Sequence, residues 1–322
     1  MSGSPARAIT SGPRLAFLAV ALLCALLAPP VAQAAPSQAS VSWLRTPANF
    51  AHAMGGLIAT DSAGQSVTYT YTNTLEAFEQ NYAKGYKIFE VDFIPTSDGA
   101  LVARHDWSPD LYAALGQHDP GHVPTKAEFL ATKVLGSYTP LDIDQVVGLM
   151  RTHPDMYVVT DTKYVDAPHV KQEFGLIVRA MGSDKAELGK RFIVQIYNES
   201  MLEPIRSVYP FPNVIYTIYQ HNLLPAKSSR SVQFARANGI PVITLDMVHW
   251  SARLAAEIRA AGLASAINSI NSPSEAAALN AAGVRFLYSD SLPARPWWAG
   301  TLAVLPVAPM APTAMPFNPQ DD

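Results

Sequence analysis

Short apolar runs alternate with amphipathic stretches through the middle of this chain. The β-rich runs begin at Phe50, Lys87, Met156, Phe192, Asn213, Pro241, Ala264 and Arg285. Helical patterns lie between most of these runs, and several of them end in glycine, as helix C-termini often do. Eight strand–helix units in roughly 250 residues predict an α/β fold, the (β/α)8 TIM barrel. An open, doubly wound sheet is the alternative.

One segment departs from this alternation. Ser97-Asp98-Gly99 is a tight-turn signal that separates the second apolar run from Leu101–His105. We therefore expect Leu101–His105 to fold back on the second strand as an extra β-hairpin strand, outside the set of eight.

Both ends of the chain differ from the middle. Arg7 and Arg14 precede the apolar run 15–27, and the small residues Ala32 and Ala34 follow it. This pattern is typical of a secretory signal peptide cleaved after Ala34, with an uncleaved anchor as the alternative. We therefore expect a secreted or periplasmic protein. Its expected parts are a signal peptide (1–34), a linker (35–47), the barrel (48–296) and a Pro/Ala-rich, disordered tail (297–322).

Composition excludes several kinds of site. The only cysteine, Cys24, lies in the apolar run of the expected signal peptide, so the mature chain would have no disulfide and no thiolate ligand. The formal net charge is −3, and nothing in the sequence indicates the basic face that nucleic-acid binding requires, so such binding is not expected. Nothing in the pattern specifies an oligomeric state.

Acidic residues occupy alternate positions of the second run. Glu90 and Asp92 share one strand face with Ile88, and the intervening aromatic and aliphatic residues share the other. Asp161 and Lys163 share a face near the end of the third run. Buried carboxylates are costly without a partner, and several of them converging on a hard cation would resolve that cost.

Two histidines stand at equivalent places. His52 lies near the end of the first run, and His105 ends the expected hairpin strand. The C-terminal ends of barrel strands form the active face, so these histidines and the carboxylates are expected to lie together. Singly, each has a plainer interpretation: a solvated acidic strand, a structural histidine, or an ordinary ion pair between Asp161 and Lys163.

The ordered motifs resemble those of the glycerophosphodiester phosphodiesterase family, which shares its barrel with the phosphatidylinositol-specific phospholipases C. They are "AHAMGG", "TNTLEAF", "FEVDF", "TSDGALVARHDW", "VVTDTK" and "GVRFLYSD", over about residues 50 to 295. The resemblance implies that His52 and His105 act as acid and base, and that Glu90, Asp92 and Asp161 bind a metal. It also implies that Lys163 faces the phosphate and that Asn73 helps to position the loop of the first histidine.

The chain departs from the family pattern at the substrate end. Ala53 replaces the arginine that follows the first histidine and grips the phosphate, Thr72 replaces a glutamate, and Asp161 replaces the usual Glu ligand. "HAMGG" therefore indicates a distinct exported branch with altered substrate contacts.

The resemblance implies a divalent-cation-dependent enzyme that hydrolyses glycerophosphodiesters or related small or lipid-derived phosphodiesters. Oxygen-only ligands favour Ca²⁺ or Mg²⁺ as its cofactor. One alternative is a phospholipase C/D-like enzyme on intact phospholipid, which would need an apolar rim for peripheral membrane contact, with Trp107, Leu111 and Tyr112 as candidates. The other alternative is a non-catalytic barrel that binds phosphorylated ligands.

Overall fold

A computed structural model describes residues 42–44, 48–61, 63–220 and 225–294. The expected signal peptide and tail, and most of the expected linker, lie outside the described residues.

Eleven strands and ten α-helices span the described residues. The strands are β1 Phe50–Ala51, β2 Leu57–Thr60, β3 Ser66–Tyr69, β4 Ile88–Pro95, β5 Leu101–Ala103, β6 Tyr157–Thr162, β7 Phe192–Ile196, β8 Asn213–Thr217, β9 Val242–Asp246, β10 Ala264–Asn268 and β11 Phe286–Ser289. The helices are α1 Leu75–Ala83, α2 Pro109–Ala114, α3 Lys126–Ala131, α4 Ile143–Thr152, α5 Ala167–Met181, α6 Lys185–Leu188, α7 Leu202–Val208, α8 Pro225–Ala237, α9 Ala252–Ala260 and α10 Pro273–Ala281.

Eight parallel strands close a barrel. Around it they run in the order β1, β4, β6, β7, β8, β9, β10 and β11, and β11 pairs back with β1. The predicted (β/α)8 barrel is confirmed. The extra hairpin is confirmed as well, because β5 pairs antiparallel with β4 through Phe93 and Ala103. The strand β5 ends two residues before His105.

Additional elements are inserted after β1 and after β5, at the C-terminal end of the barrel. A second hairpin, β2–β3, lies in the connection from β1 to α1, and the short helices α2 and α3 lie between β5 and α4. The sequence analysis did not predict β2–β3. The side chains of these two strands alternate between buried or half-buried and exposed, and none of β3 is fully buried, so no long apolar run marks them.

The core has an inner and an outer layer, as strand alternation requires. Ile88, Val159, Ile215 and Phe286 pack inside the barrel near the beginnings of their strands. The other face of β4 packs against the helices through Phe89, Val91 and Phe93. Apolar side chains therefore fill the N-terminal half of the barrel interior, and polar side chains are left at its C-terminal end.

Within the described residues, no helix combines the length and the apolar character that crossing a membrane requires.

Candidate active site

Three carboxylates meet at the C-terminal ends of two neighbouring strands. Glu90 and Asp92 lie two residues apart on β4, and Asp92 is in parallel register with Asp161 of β6. One oxygen atom from each carboxylate lies within 4.8 Å of the other two. Strand alternation and the register of one parallel pair are therefore enough to bring the three predicted metal ligands together.

Glu90 has only one of its two oxygens satisfied. The backbone N–H of Ala53 donates to Oε2 at 2.7 Å, whereas the buried Oε1 has no hydrogen-bond partner within the described residues. Burial raises the pKa of Glu90 well above its ordinary range, and the charge of Asp92 raises it further. The charge of His52 lowers the pKa only in part, and no described residue donates a hydrogen bond to this buried oxygen.

Asp92 is bonded on both oxygens. The side-chain amide of Asn73 donates to Oδ2 at 2.8 Å, and the ammonium of Lys163 donates to Oδ1 at 2.6 Å. Burial would raise the pKa of Asp92, but the charges of Lys163, His105 and His52 outweigh it and hold the pKa well below its usual range. Asp92 is therefore the carboxylate of the three that is most firmly ionised.

Asp161 shares the same ammonium. Lys163 donates to Asp161 Oδ2 at 2.9 Å, and the hydroxyl of Tyr197, just beyond β7, donates to Oδ1. Burial raises the pKa of Asp161, and Lys163 lowers it only in part. The ordinary ion pair of Asp161 with Lys163 is therefore present, but it lies inside the carboxylate cluster rather than apart from it.

The donor set fits a hard divalent cation. It consists of oxygen atoms only, one of which is buried and has no hydrogen-bond partner among the residues that the structure describes, and the ammonium of Lys163 bonds Asp92 and Asp161 but not Glu90. Ca²⁺ and Mg²⁺ prefer such ligands, and a cation would satisfy the unpaired oxygen.

His52 begins the turn that follows β1 and is 8% exposed. Its Nδ1 lies 3.0 Å from Asp290 Oδ1, and the side-chain amide of Asn271 donates to Asp290 Oδ2 at 2.8 Å. Burial lowers the pKa of His52, but the hydrogen bond to Asp290 and the charges of Glu90, Asp290 and Asp92 raise it to about 9. The imidazole is thus oriented through one nitrogen, which leaves Nε2 for proton transfer.

His105 follows β5 and is more open to solvent. Its Nδ1 lies 2.7 Å from Asp106 Oδ2, and about 40% of its side chain is exposed. The neighbouring Arg104 points away, is buried, and donates from Nε to the carbonyl of Asp106 at 2.7 Å. A carboxylate therefore orients each of the two histidines.

Tyr71 lies in edge-to-face contact with both histidines. Its ring centroid is 4.7 Å from that of His52 and 5.0 Å from that of His105. The structure therefore brings the two histidines together, and the N–H of Ala53, next to His52, joins them to the carboxylates through Glu90.

Three neighbours of the predicted site were missed by the sequence analysis. Asp290 ends a β-rich run and also closes the family pattern, so the same strand-end reasoning would have identified it. Tyr197 also follows a strand, but a tyrosine there gives no chemical signal. Tyr71 lies in a loop, where no periodicity indicates the direction of a side chain.

Ala53 stands where the family pattern has the arginine that follows the first histidine. Ala53 is fully buried, has a left-handed backbone with φ 48°, and uses its N–H to bond Glu90. Alanine at this buried position places no charged side chain in the site. The family's usual phosphate clamp is therefore absent from this turn.

Comparison with protein families matches residues 63–293 to the Glycerophosphoryl diester phosphodiesterase family. The matched segment contains Glu90, Asp92, His105 and Asp161 and begins after His52. A search of the curated proteins finds no match.

Solved structures share the fold at low sequence identity. A phosphodiesterase of Oleispira antarctica, solved with the product sn-glycerol-3-phosphate, is 16% identical, with a TM-score of 0.59 over 81% of this chain and 98% of that one. A glycerophosphodiester phosphodiesterase of Parabacteroides distasonis is 14% identical, with a TM-score of 0.57 over 77% and 94%. With the family match over most of the barrel, the resemblance is confirmed: the chain belongs to the glycerophosphoryl diester phosphodiesterase family of phosphoric diester hydrolases.

Proposed function

We propose that this protein is a cation-dependent hydrolase of glycerophosphodiesters that uses His52 and His105 as its acid and base. The observation that carries this proposal is the placement of two carboxylate-oriented histidines beside a cluster of three carboxylates, at the C-terminal end of a barrel of this family. The product-bound relative from Oleispira antarctica supports sn-glycerol-3-phosphate as a product here too.

Glu90, Asp92 and Asp161 would hold the cation. When bound, Ca²⁺ or Mg²⁺ would offset the negative charge of the phosphodiester and so ease the approach of a nucleophile. Asp161 is one methylene shorter than the glutamate that the family pattern has at this position. Lys163 lies between Asp92 and Asp161, where its ammonium adds positive charge on the side of the substrate.

The two histidines divide the proton transfers. One takes a proton from the neighbouring hydroxyl of the substrate's own glycerol, which attacks the phosphorus, and the other gives a proton to the departing alkoxide. Water then opens the resulting cyclic phosphate to give sn-glycerol-3-phosphate. Asp290 and Asp106 accept from the Nδ1 atoms, so each imidazole exchanges its proton at Nε2. Asn73, which bonds Asp92 and also the carbonyl of Ala53 through its backbone N–H, holds the turn of His52 against the carboxylates.

Product release from soluble substrates tests this function. Purified protein is incubated with glycerophosphocholine and glycerophosphoethanolamine in Ca²⁺ or Mg²⁺, and sn-glycerol-3-phosphate is measured with a coupled enzyme. We expect release from at least one diester. The proposal is contradicted if sn-glycerol-3-phosphate is released from neither diester, with Ca²⁺ or with Mg²⁺.

Action on intact phospholipid is the second candidate, and the surface favours it in one respect. Leu111 and Tyr112, two of the rim residues expected from the sequence, are in fact buried. Leu111 packs with Leu115 and Val134, and the ring of Tyr112 lies against the Arg104 guanidinium. Instead, all six exposed large apolar residues among the described ones lie in the segments that join a barrel strand to the next barrel helix, and these segments stand at the C-terminal side of the barrel. They are Ile58, Val123, Tyr164, Val165, Met247 and Val248.

Vesicles separate the two candidates. Hydrolysis of phosphatidylcholine vesicles faster than of glycerophosphocholine would favour the lipid substrate, and the reverse order would favour the soluble diester. We expect the soluble diester to react faster. The proposed site residues contact only the phosphodiester, and a soluble substrate reaches them without leaving a bilayer.

Export is proposed on the sequence pattern of residues 1–34 alone. The expected mature chain begins at Ala35 and carries no lipid on Cys24. Mass spectrometry of the protein recovered outside the cytoplasm measures this directly, and a mass that includes Cys24 contradicts the cleavage site.

A further inference from the structure

Tyr71 is a polar aromatic residue placed between the two histidines, and the mechanism above does not use it. It lies in the loop from β3 to α1, half-buried, with its ring against both imidazoles. The backbone N–H of Asn73 donates to the carbonyl of Ala53 at 3.2 Å and ties this loop to the turn of His52. The Tyr71 ring is therefore held between the two histidines that are proposed as acid and base.

The backbone at Tyr71 adopts an uncommon conformation. Its φ is 58°, in the left-handed region, and that of Asn73 is 48°. A bulky aromatic residue seldom adopts this region, and such conformations concentrate at functional sites. The strain directs the Tyr71 ring between the histidines and the Asn73 amide toward Asp92.

The hydroxyl of Tyr71 is an uncommitted donor. It makes no hydrogen bond to any described residue. The negative charges of Asp92, Asp290 and Glu90 act on it. Burial raises the pKa of Tyr71, and Asp92, Asp290 and Glu90 raise it further, so the hydroxyl keeps its proton. A protonated phenol near an anionic ligand donates a hydrogen bond to it.

The other donors near the carboxylates are already engaged. The ammonium of Lys163 bonds Asp92 and Asp161, the side-chain amide of Asn73 bonds Asp92, and the backbone N–H of Ala53 bonds Glu90. Ala53 itself offers no side-chain donor. A phosphoryl oxygen entering the site would therefore find few free donors among these residues.

The acid and the base must flank the reacting phosphorus, because one acts on the attacking oxygen and the other on the leaving oxygen. A group between them borders the two non-bridging phosphoryl oxygens. We propose that Tyr71 is a substrate-binding residue whose hydroxyl donates a hydrogen bond to a phosphoryl oxygen of the diester, in place of a charged clamp. This inference rests on the proposed function.

Tyr71→Phe tests the role of the hydroxyl, because it keeps the ring contacts and removes only the oxygen. Loss of a hydrogen bond to a charged group is expected to raise the KM for the best glycerophosphodiester roughly tenfold or more. The pH profile of kcat should keep its shape, because both histidines keep their carboxylates. Tyr69→Phe, at the end of β3 two residues earlier and outside the site, is the matched control and should behave as wild type.

A binding measurement separates this inference from the proposed function. Calorimetry with sn-glycerol-3-phosphate is expected to show about tenfold weaker binding by Tyr71→Phe than by wild type or Tyr69→Phe, whether or not any diester is hydrolysed. Equal binding by all three proteins overturns the assignment of Tyr71. A fall in kcat with unchanged KM and unchanged binding overturns it as well, since the residue would then act through the histidines.

Discussion

At the scale of single residues, the site depends on how two imidazoles are held. Asn271 fixes Asp290, and Asp290 fixes His52 inside the protein, whereas His105 relies on the adjacent Asp106 near the surface. The difference in burial means that the environment of His52 is set by the protein, and that of His105 is shared with solvent.

His52→Ala and His105→Ala should each lower kcat for glycerophosphodiester hydrolysis by about 100-fold or more, because each removes a positioned acid or base. Their melting temperatures should stay close to wild type, which circular dichroism would show. His122→Ala is the control. It removes an exposed histidine in the connection between α2 and α3 and should keep full activity. Near-wild-type activity in either active-site variant would refute its assignment.

Asp290→Asn should lower the pKa of His52, because the neutral amide no longer stabilises the imidazolium. The pKa of about 9 in the wild-type protein depends on that carboxylate as well as on Glu90 and Asp92. An NMR titration of the His52 ring is expected to show a decrease of about one pH unit or more, equivalent to roughly 1.4 kcal/mol of lost charge stabilisation. An unchanged titration would mean that the Asp290 contact does not control this histidine.

At the scale of elements, periodicity predicted the strand residues of the site, whereas residues in its loops were predicted only where strand-end position or the family resemblance indicated them. The alternation of β4 placed Glu90 and Asp92 on the inner face, and the strand-end rule placed Asp161 beside them. By contrast, the direction of Tyr71 depends on a left-handed backbone, and the contact of Tyr197 with Asp161 depends on the packing of β7 against β6. Neither leaves a periodic pattern in the sequence.

The helix α5 carries a buried carboxyl group that no described residue satisfies with a hydrogen bond. Glu173 is fully buried, and neither of its carboxylate oxygens has a partner at hydrogen-bonding distance within the described residues. Burial raises its pKa to about 8; Lys163 lowers the pKa in part through its charge and its nearby backbone N–H, and the charges of Asp161 and Asp166 raise it. In the unfolded chain the same carboxyl would ionise in its ordinary range.

This shift makes Glu173 a source of pH-dependent stability. Between about pH 4.5 and 8 the folded protein holds a proton that the unfolded chain has lost, so the free energy of unfolding falls as pH rises and levels off above pH 8. Glu173→Gln should remove up to about 1.4 kcal/mol per pH unit of that slope, measured by urea unfolding from pH 5 to 8. Exposed Glu79, changed to Gln, is the matched control and should keep the wild-type slope. Equal slopes in all three proteins would contradict the prediction.

At the scale of the whole molecule, closure of the barrel assembles the site from distant parts of the chain. The pairing of Ala51 with Phe89 brings β1 beside β4, so that the turn of His52 reaches Glu90. The pairing of β1 with β11 brings Asp290 to His52. The eightfold alternation predicted this closure, and closure brings the separate motifs together into one candidate active site.

The central claim is that the three carboxylates hold a cation that the hydrolysis requires. The measurement is the rate of release of sn-glycerol-3-phosphate from the best glycerophosphodiester, before chelation, after treatment with EDTA, and after Ca²⁺ or Mg²⁺ is restored. Glu90→Gln is measured beside wild type, with exposed Glu79→Gln as the control. We expect chelation to stop release in wild type and Glu79→Gln, the restored cation to recover it, and Glu90→Gln to stay inactive throughout. Unchanged release after chelation, or a fully active Glu90→Gln, would contradict the account.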